Sequence, residues 1–566
     1  MGLALHVITT RRASVNSQLT VSSYPTARFC GLAMFHFPRQ DFAGRIATAD
    51  PSPRVASSYA KQGRRRQPVA HALRYYAPVA IFLGLCTIAI RMPNFGDPTY
   101  HIDEAFYLLV GEKMSAGLVP YRDIWDRKPA GLFVLYAAIA RLGSVYAYQA
   151  AAALFAWATS VVLAIVASRF TGRMAASAAG VLYLSMIGAL AGGGGQSPVF
   201  YNLFIAAAAL LVLDCALDDT AGKSSRAGTC AMILCGLALT FKPTALPEGV
   251  FFGLVLLAIR WKRRRDAFDL IRYGAGLGLA ALAPTALIWL VYAATGDFQE
   301  YWFATMQSVF LTSPDTHAAG VRRLAYLAFV LCGSSAAALI GLVVLVTKAR
   351  RAGARDRFMA CFVAGWVVAA VAGFLLVPNF FDHYALPLAS VLAVASAPLF
   401  EHSRAGRAFG ILAIAGLLLV SGYPNGQLAR NAAARQGYAK VNTLIADHIG
   451  AGCLIVYDAT PALYRGHSMC PDFTYPFPEH LSNQREAKAI GDDPVAVLSR
   501  ALAEKPAVVV VAASPSLQTP NLATRQLLLN RLASDYAKVG QAELVDVVGR
   551  QTVQVWSRRE RAVVAR

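Results

Sequence analysis

An acidic pair, Asp103-Glu104, opens a long segment that goes on to collect Asp123, Asp126, Arg127 and Lys128 among Tyr107, Tyr121 and Trp125. A carboxylate in such company can take the proton from a hydroxyl or amine while that group attacks a sugar, which is general-base chemistry. The group that leaves would be an anion such as a phosphate. Its growing charge needs a fixed cation, with Lys128 the first candidate and Arg127 the second. Plainer roles exist for both ends of the segment. Asp103 would make a good cap for a helix over about 104 to 115, with Ile102 and Tyr107 as a hydrophobic staple, and Lys128 could be a surface lysine neutralised by Asp126. Capping accounts for Asp103 but not for the carboxylates, cations and rings gathered after it.

Two further places carry candidate groups. Lys242, in Thr240-Phe-Lys242-Pro243, sits where an apolar stretch ends and could touch the same phosphate or snorkel to the interface. The run Phe380-Phe381-Asp382-His383-Tyr384 puts titratable and aromatic groups at another such end, so Tyr107, Tyr121, His383 and Tyr384 are candidates to line a cavity. For His383, a satisfied interface residue is the competing reading. The tract Gly192 to Gly195 lacks the Lys-Ser/Thr of a phosphate loop and reads as a mobile loop near the site. Neither a dinucleotide fingerprint nor a zinc-binding HExxH occurs, so chemistry on nucleotide sugars has no support. No metal ligand set and no obligatory cofactor are expected. A divalent cation held by Asp103 and Glu104 is the alternative.

The elements that must position these groups are apolar. The 566 residues are 56% hydrophobic and 15% charged, with a mean hydropathy of +0.46, which indicates a polytopic membrane protein. Apolar stretches recur near 75–92, 146–168, 174–191, 199–217, 227–242, 245–260, 272–294, 325–347, 358–378, 384–400 and 407–422, about eleven spans, several of them short for a perpendicular crossing. The net charge of +21 could suggest nucleic acid. Its placement argues otherwise, because the basic residues lie in a tail over 1–72 and in alternate loops: Arg169 and Arg173; Lys223 and Arg226; Arg260 to Arg265; Lys348 to Arg357; Arg404 and Arg407. That is the pattern of cytosolic loops. It places the N-terminal tail in the cytosol as a disordered basic segment, and the 93–145 loop on the opposite side. With an odd span count, everything after about 423 lies on that side too.

After the membrane-spanning part, 73–425, the composition changes. Cys453 to Asp458, Ala507 to Ala512, Leu544 to Val548 and Thr552 to Trp556 read as strands, with a helix over Val495 to Leu502, so 430–566 is expected to be a small soluble α/β domain. Most of the nine cysteines lie inside apolar stretches. Cys453 and Cys470 share this polar region, where an extracytoplasmic disulfide is an open choice.

At Asp103-Glu104, the following Tyr107 and the later Trp125-Asp-Arg-Lys128-Pro129, the chain resembles membrane glycosyltransferases of the GT-C type, the protein-mannosyltransferases and aminoarabinose transferases of glycosyltransferase family 39 and its relatives. The likeness covers roughly 75 to 425. It implies Asp103 at the catalytic centre acting on the acceptor, Glu104 in support, Lys128 on the donor phosphate, a polyprenyl-phosphate-sugar donor and an outward-facing site. One departure is Phe106, where aminoarabinose transferases carry an arginine three positions after the first acid.

The expectation is therefore an enzyme of the bacterial inner membrane. It would move a sugar from a polyprenyl-phosphate donor to a lipid, glycan or protein acceptor at the outer, periplasmic face, among membrane lipids and without nucleic acid. A transporter or flippase of lipid-linked saccharides is the rival, although it would place ionisable groups at mid-membrane. A scaffold presenting the C-terminal domain is a third reading.

Overall fold

The computed structural model describes residues 69–217, 221–351, 353–515 and 519–559. The tail expected over 1–72 lies outside the described residues except for its last four, which open the first helix.

Every expected apolar stretch forms a helix. In chain order these are α1 (Val69–Arg91), α4 (Val145–Ala167), α5 (Arg173–Ala189), α6 (Ser197–Leu217), α7 (Ala221–Leu239), α8 (Leu246–Arg264), α9 (Ala267–Thr295), α10 (His317–Arg351), α11 (Ala354–Leu375), α12 (Leu386–His402) and α13 (Arg404–Val420). Two short helices of the first long loop, α2 (Ile102–Ser115) and α3 (Ala130–Ala140), complete the numbering. Among the described residues, nine helices are long and apolar enough to cross a membrane, and the apolar helices Arg173–Ala189 and Ser224–Leu239 fall below that length. Leucines and phenylalanines such as Leu279, Leu290 and Phe329 stand exposed on the long helices, as a hydrocarbon surrounding allows and water does not.

Helix α12 is buried from Leu386 to Phe400 and forms the centre of the bundle. Its small residues permit this: Gly341 of α10 rests on the Ala395 backbone, where a Cβ would collide. The buried helix delivers His383 and Tyr384 at its starting end. In the same way Gly111 lets α2 touch the Tyr136 backbone of α3, fixing the hairpin that carries Asp103.

The loops sort as the charge pattern expects. The 93–145 loop, the glycine tract, Lys242, the 295–323 segment and the 378–383 turn converge at one end, joined by contacts such as Arg127 to the Thr312 hydroxyl at 2.8 Å and Arg91 to the Gly192 carbonyl at 3.0 Å. The basic loops meet at the other, where Arg169 pairs with Asp214 at 2.7 Å and Glu401 accepts from the Gly172 N–H at 3.0 Å.

Helix α14 (Asn425–Ile449) leads out of the bundle at the site end. Its Asn431 side chain donates to the carbonyls of Pro93 and Phe95, both at 3.0 Å, and so fastens the start of the first loop. Beyond it come β1 (Leu454–Val456), α15 (Pro478–Ser482), α16 (Pro494–Ala503), β2 (Val508–Ala512), α17 (Leu522–Asp535), β3 (Tyr536–Val545) and β4 (Arg550–Arg558). The sheet order is β1-β2-β4-β3, with β1 parallel to β2 and the other pairs antiparallel. The strand expected over Leu544 to Val548 is displaced. Asp546 accepts hydrogen bonds from the N–H groups of Val548 and Gly549, both at 2.7 Å, which makes 546–549 a turn and ends β3 at Val545.

Cys453 and Cys470 are joined in a disulfide that closes a 17-residue separation. Changing both to serine should destabilise this α/β layer by about 3 kcal/mol on loop-closure grounds. Chemical unfolding followed by thiol labelling checks it; an unchanged midpoint contradicts the pairing.

Candidate active site

The first turn of α2 sets the geometry. Its cap is not Asp103, as the sequence suggests, but His101, whose Nδ1 accepts the Asp103 backbone N–H at 3.2 Å. The Asp103 carboxylate is thereby left for other partners. Gln196 Nε2 donates to Asp103 Oδ2 at 3.3 Å and lies 2.9 Å from His101 Nδ1, while His383 Nε2 stands 3.5 Å from the same carboxylate oxygen. The two imidazoles meet edge to face at 5.2 Å between centroids. Burial pushes the Asp103 carboxyl up, but Lys128, His101 and His383 around it and the Gln196 hydrogen bond hold it well below the usual carboxylate range.

Lys128 is not neutralised by Asp126. The Asp126 carboxylate accepts the Lys128 backbone N–H at 2.6 Å, a turn contact that aims the side chain elsewhere. The ammonium lies 5.5 Å from the Tyr107 ring centre and makes no ion pair within 4 Å among the described residues. Burial lowers its affinity for a proton, while Asp103 and Asp126 more than restore it. Lys242 turns inward, with its side-chain nitrogen 3.8 Å from the Tyr384 ring centre, and likewise forms no ion pair among the described residues; burial and then the nearby Lys128 bring it down to about 7, so near neutral pH it is shared between ammonium and amine. Tyr384 in turn stacks edge-on against His383 at 4.7 Å. Both lysine side chains thus rest on ring faces that attract cations, and both interact electrostatically with the Asp103 carboxylate.

Other expected residues serve differently. Arg127 forms an ion pair with Glu486 and donates to Thr312, so it is engaged in fastening loops and not available to a phosphate. Tyr121 lies among Phe133, Tyr292 and Tyr301, and its hydroxyl donates to the Lys128 carbonyl at 2.8 Å, so it braces the lysine turn. Asp123 is held on the surface by Arg122 at 2.9 Å. Glu104 is fully buried against the Gly194 and Gly195 backbone, and burial pushes its carboxyl up to about 8, which favours its neutral form.

The glycine tract is not a mobile loop. Gly192 to Gly195 are buried, with Arg91 donating to the carbonyls of Gly192 and Gly194 at 3.0 and 2.8 Å, Tyr136 donating to Gly195 at 2.6 Å, and the Tyr100 hydroxyl accepting from Gly193 at 3.0 Å. A Cβ on Gly193, Gly194 or Gly195 would run into Tyr100, Glu104 or Tyr136. This pinned backbone carries Gln196 to the carboxylate. Four glycines ending in a polar residue are the signal that could have found Gln196, since they let the chain press directly against its neighbours.

Phe106, at the position of the departing arginine, packs edge-on against Phe477 at 5.3 Å and near His480 at 6.2 Å. It joins α2 to the C-terminal layer. His101 Nδ1, Asp103 and His383 Nε2 lie within 4.8 Å of one another, and this group could hold a divalent ion. The Nδ1 lone pair, however, already serves the helix cap.

No protein-family model matches the chain, and no curated protein matches it. Among solved structures, ArnT from Cupriavidus metallidurans bound to undecaprenyl phosphate aligns over 86% of this chain and 98% of its own, at 15% identity and a TM-score of 0.54. The same protein in the apo state gives 13% identity and a TM-score of 0.55 over the same shares. The Archaeoglobus fulgidus oligosaccharyltransferase tethered with an acceptor peptide, at 11% identity over 77% of this chain and 69% of its own, has a TM-score of 0.46, too low to bear on this chain. At the level of fold, this chain has the GT-C architecture of ArnT.

Proposed function

We propose that the protein is a multi-pass membrane glycosyltransferase that moves a sugar from a polyprenyl-phosphate donor to an acceptor at the outer face of a bacterial inner membrane. The observation that carries this reading is the Asp103 carboxylate at the end of the bundle away from the basic loops, together with the side chains of Lys128 and Lys242, which form no ion pair among the described residues. The solved ArnT of the same fold holds undecaprenyl phosphate, which supports a lipid phosphate as the group those cations receive.

In this reading the acceptor hydroxyl or amine attacks the anomeric carbon, and its proton passes to Asp103. The bond from that carbon to the phosphate oxygen breaks, and the electron pair stays on the lipid phosphate. Its charge grows by one unit, which Lys128 and Lys242 stabilise where water is excluded. Donor binding also readies the base. Lys128 is among the charges that keep protons off Asp103, and a phosphate arriving at Lys128 draws that charge away, leaving the carboxylate more basic as the donor seats. Gln196 holds the carboxylate in place throughout.

Asp103→Asn should lower transfer by about a hundred- to ten-thousand-fold while leaving expression and thermal midpoint unchanged, measured as consumption of radiolabelled undecaprenyl-phosphate sugars by the purified protein. Full activity in that variant would remove the mechanism, and wild-type protein that consumes no donor would favour a transporter. The pH profile gives a second check. Because Asp103 is held below the ordinary aspartate value near 3.9 before the donor binds, kcat/KM for the donor, which reports the free enzyme, should keep its plateau to below about pH 4. Lys128→Met should move the acid limb upward, since the cation opposing protonation is gone; a limb that stays put assigns it to another group. Exhaustive chelation of divalent ions should leave transfer intact. A total loss restored by added metal would instead make His101, Asp103 and His383 ligands.

A further inference from the structure

The segment 474–486 of the C-terminal layer touches each of three loops that meet around Asp103. Its Thr474 carbonyl accepts the Trp125 N–H at 2.9 Å, and Glu486 pairs with Arg127. Arg485 donates to the Ser313 carbonyl at 2.9 Å, pairs with Asp315 at 3.3 Å and reaches the Asn379 side chain at 3.4 Å, on the turn that leads to His383. In the middle of this strap, α15 presents Glu479 and His480. The His480 ring packs edge-on against Trp125 at 4.6 Å.

A strap that only fastened loops would have its polar groups paired, and these are not. Glu479 accepts one hydrogen bond, from Asn483 at 3.3 Å, and has no cation within 4 Å among the described residues. It directly precedes His480, whose ring lies 6.2 Å from that of Phe106, three residues after Asp103 on α2. Beside it, Trp125 Nε1 and His480 Nδ1 are buried without a hydrogen-bond partner among the described residues, in side chains only 4% and 3% exposed. Buried donors and acceptors left unmatched are unfavourable unless a ligand completes them.

We propose that this strap is a sugar-binding wall, in which Glu479 receives hydroxyl groups of a sugar held at Asp103 while the Trp125 indole N–H and the His480 ring nitrogen bond its neighbouring oxygens. Hydroxyls are the class that fits, because each can donate to a carboxylate and accept from an indole N–H. A second phosphate would be repelled by Glu479, and an alkyl group would leave all three polar atoms unmatched. The sugar is either the one carried by the donor or one on the acceptor. The inference rests on the glycosyltransferase reading and assigns the C-terminal layer a part in it.

Full-length protein in nanodiscs tests this in two arms, with Glu479→Gln as the isosteric variant and Glu479→Ala as the truncation. Thermal midpoints and an intact Cys453–Cys470 disulfide establish that both fold. The first arm measures affinity for undecaprenyl phosphate and for undecaprenyl-phosphate glucose. A loss of about ten- to a hundred-fold, the scale of a charge-assisted hydrogen bond, confined to the glucose-bearing lipid assigns the wall to the donor sugar. The second arm measures the methyl glucoside concentration that half-saturates consumption of that donor. A similar rise there, with both lipid affinities unchanged, assigns it to the acceptor. An equal loss for both lipids, or no change in either arm, would overturn the wall. Wild-type protein that binds neither lipid would overturn the donor reading itself, and is told apart because the defect precedes any substitution.

Discussion

An ionised carboxylate removed from water is unstable unless positive charge and hydrogen-bond donors face it, and the site end of this molecule is organised around that constraint at Asp103. The positive charge cannot come from α2 itself, so it arrives from elsewhere, with Lys128 on the return of the same loop and Lys242 after α7, while the His383 imidazole before α12 stands 3.5 Å from the carboxylate. Each is carried by the end of a different helix. Packing the bundle is what brings them together, and the glycine tract adds Gln196 through backbone contacts that a single Cβ would prevent.

The same economy links the membrane part to the C-terminal layer. Arg127 is consumed by Glu486, which leaves Lys128 the free cation of the pair and ties the loop to the strap. On the other side of α2, the Thr99 hydroxyl donates to the Val545 carbonyl at 2.7 Å and the Val547 N–H to Tyr100 at 2.9 Å, so the β3–β4 turn braces the residues just ahead of His101. The loop carrying Asp103 is held from both ends by a layer that begins more than 300 residues later in the chain. Phe106 belongs to that joint, which accounts for an aromatic ring where relatives of the resembled type carry arginine.

Much of this is local in origin and therefore legible in the sequence. Apolar runs and alternate basic loops place eleven helices and sort their ends, because span length and loop charge are properties of contiguous residues. Asp103, Lys128 and Lys242 stand out for the same reason, as charges where an apolar chain has little use for them. What escapes is long-range. That His101 displaces Asp103 from the cap depends on a ring orientation fixed by Gln196 and His383. Arg127 and Lys128 are adjacent in sequence, and only a glutamate 359 residues away separates their roles. The glycine tract reads as flexible because glycine permits motion, whereas here it permits contact. Val547 and Val548 favour a strand, yet β3 ends at Val545 because the Asp546 side chain overrides them with a turn.

If Lys128 and Lys242 together receive a lipid phosphate beside Asp103, a cryo-electron microscopy map of the full-length protein in nanodiscs with undecaprenyl phosphate will show phosphate density between their side-chain nitrogens, within hydrogen-bonding distance of both. Phosphate density at the opposite end of the bundle, in the pocket lined by Ser224, Arg260, Arg263 and Arg264, with none beside Lys128, would contradict it.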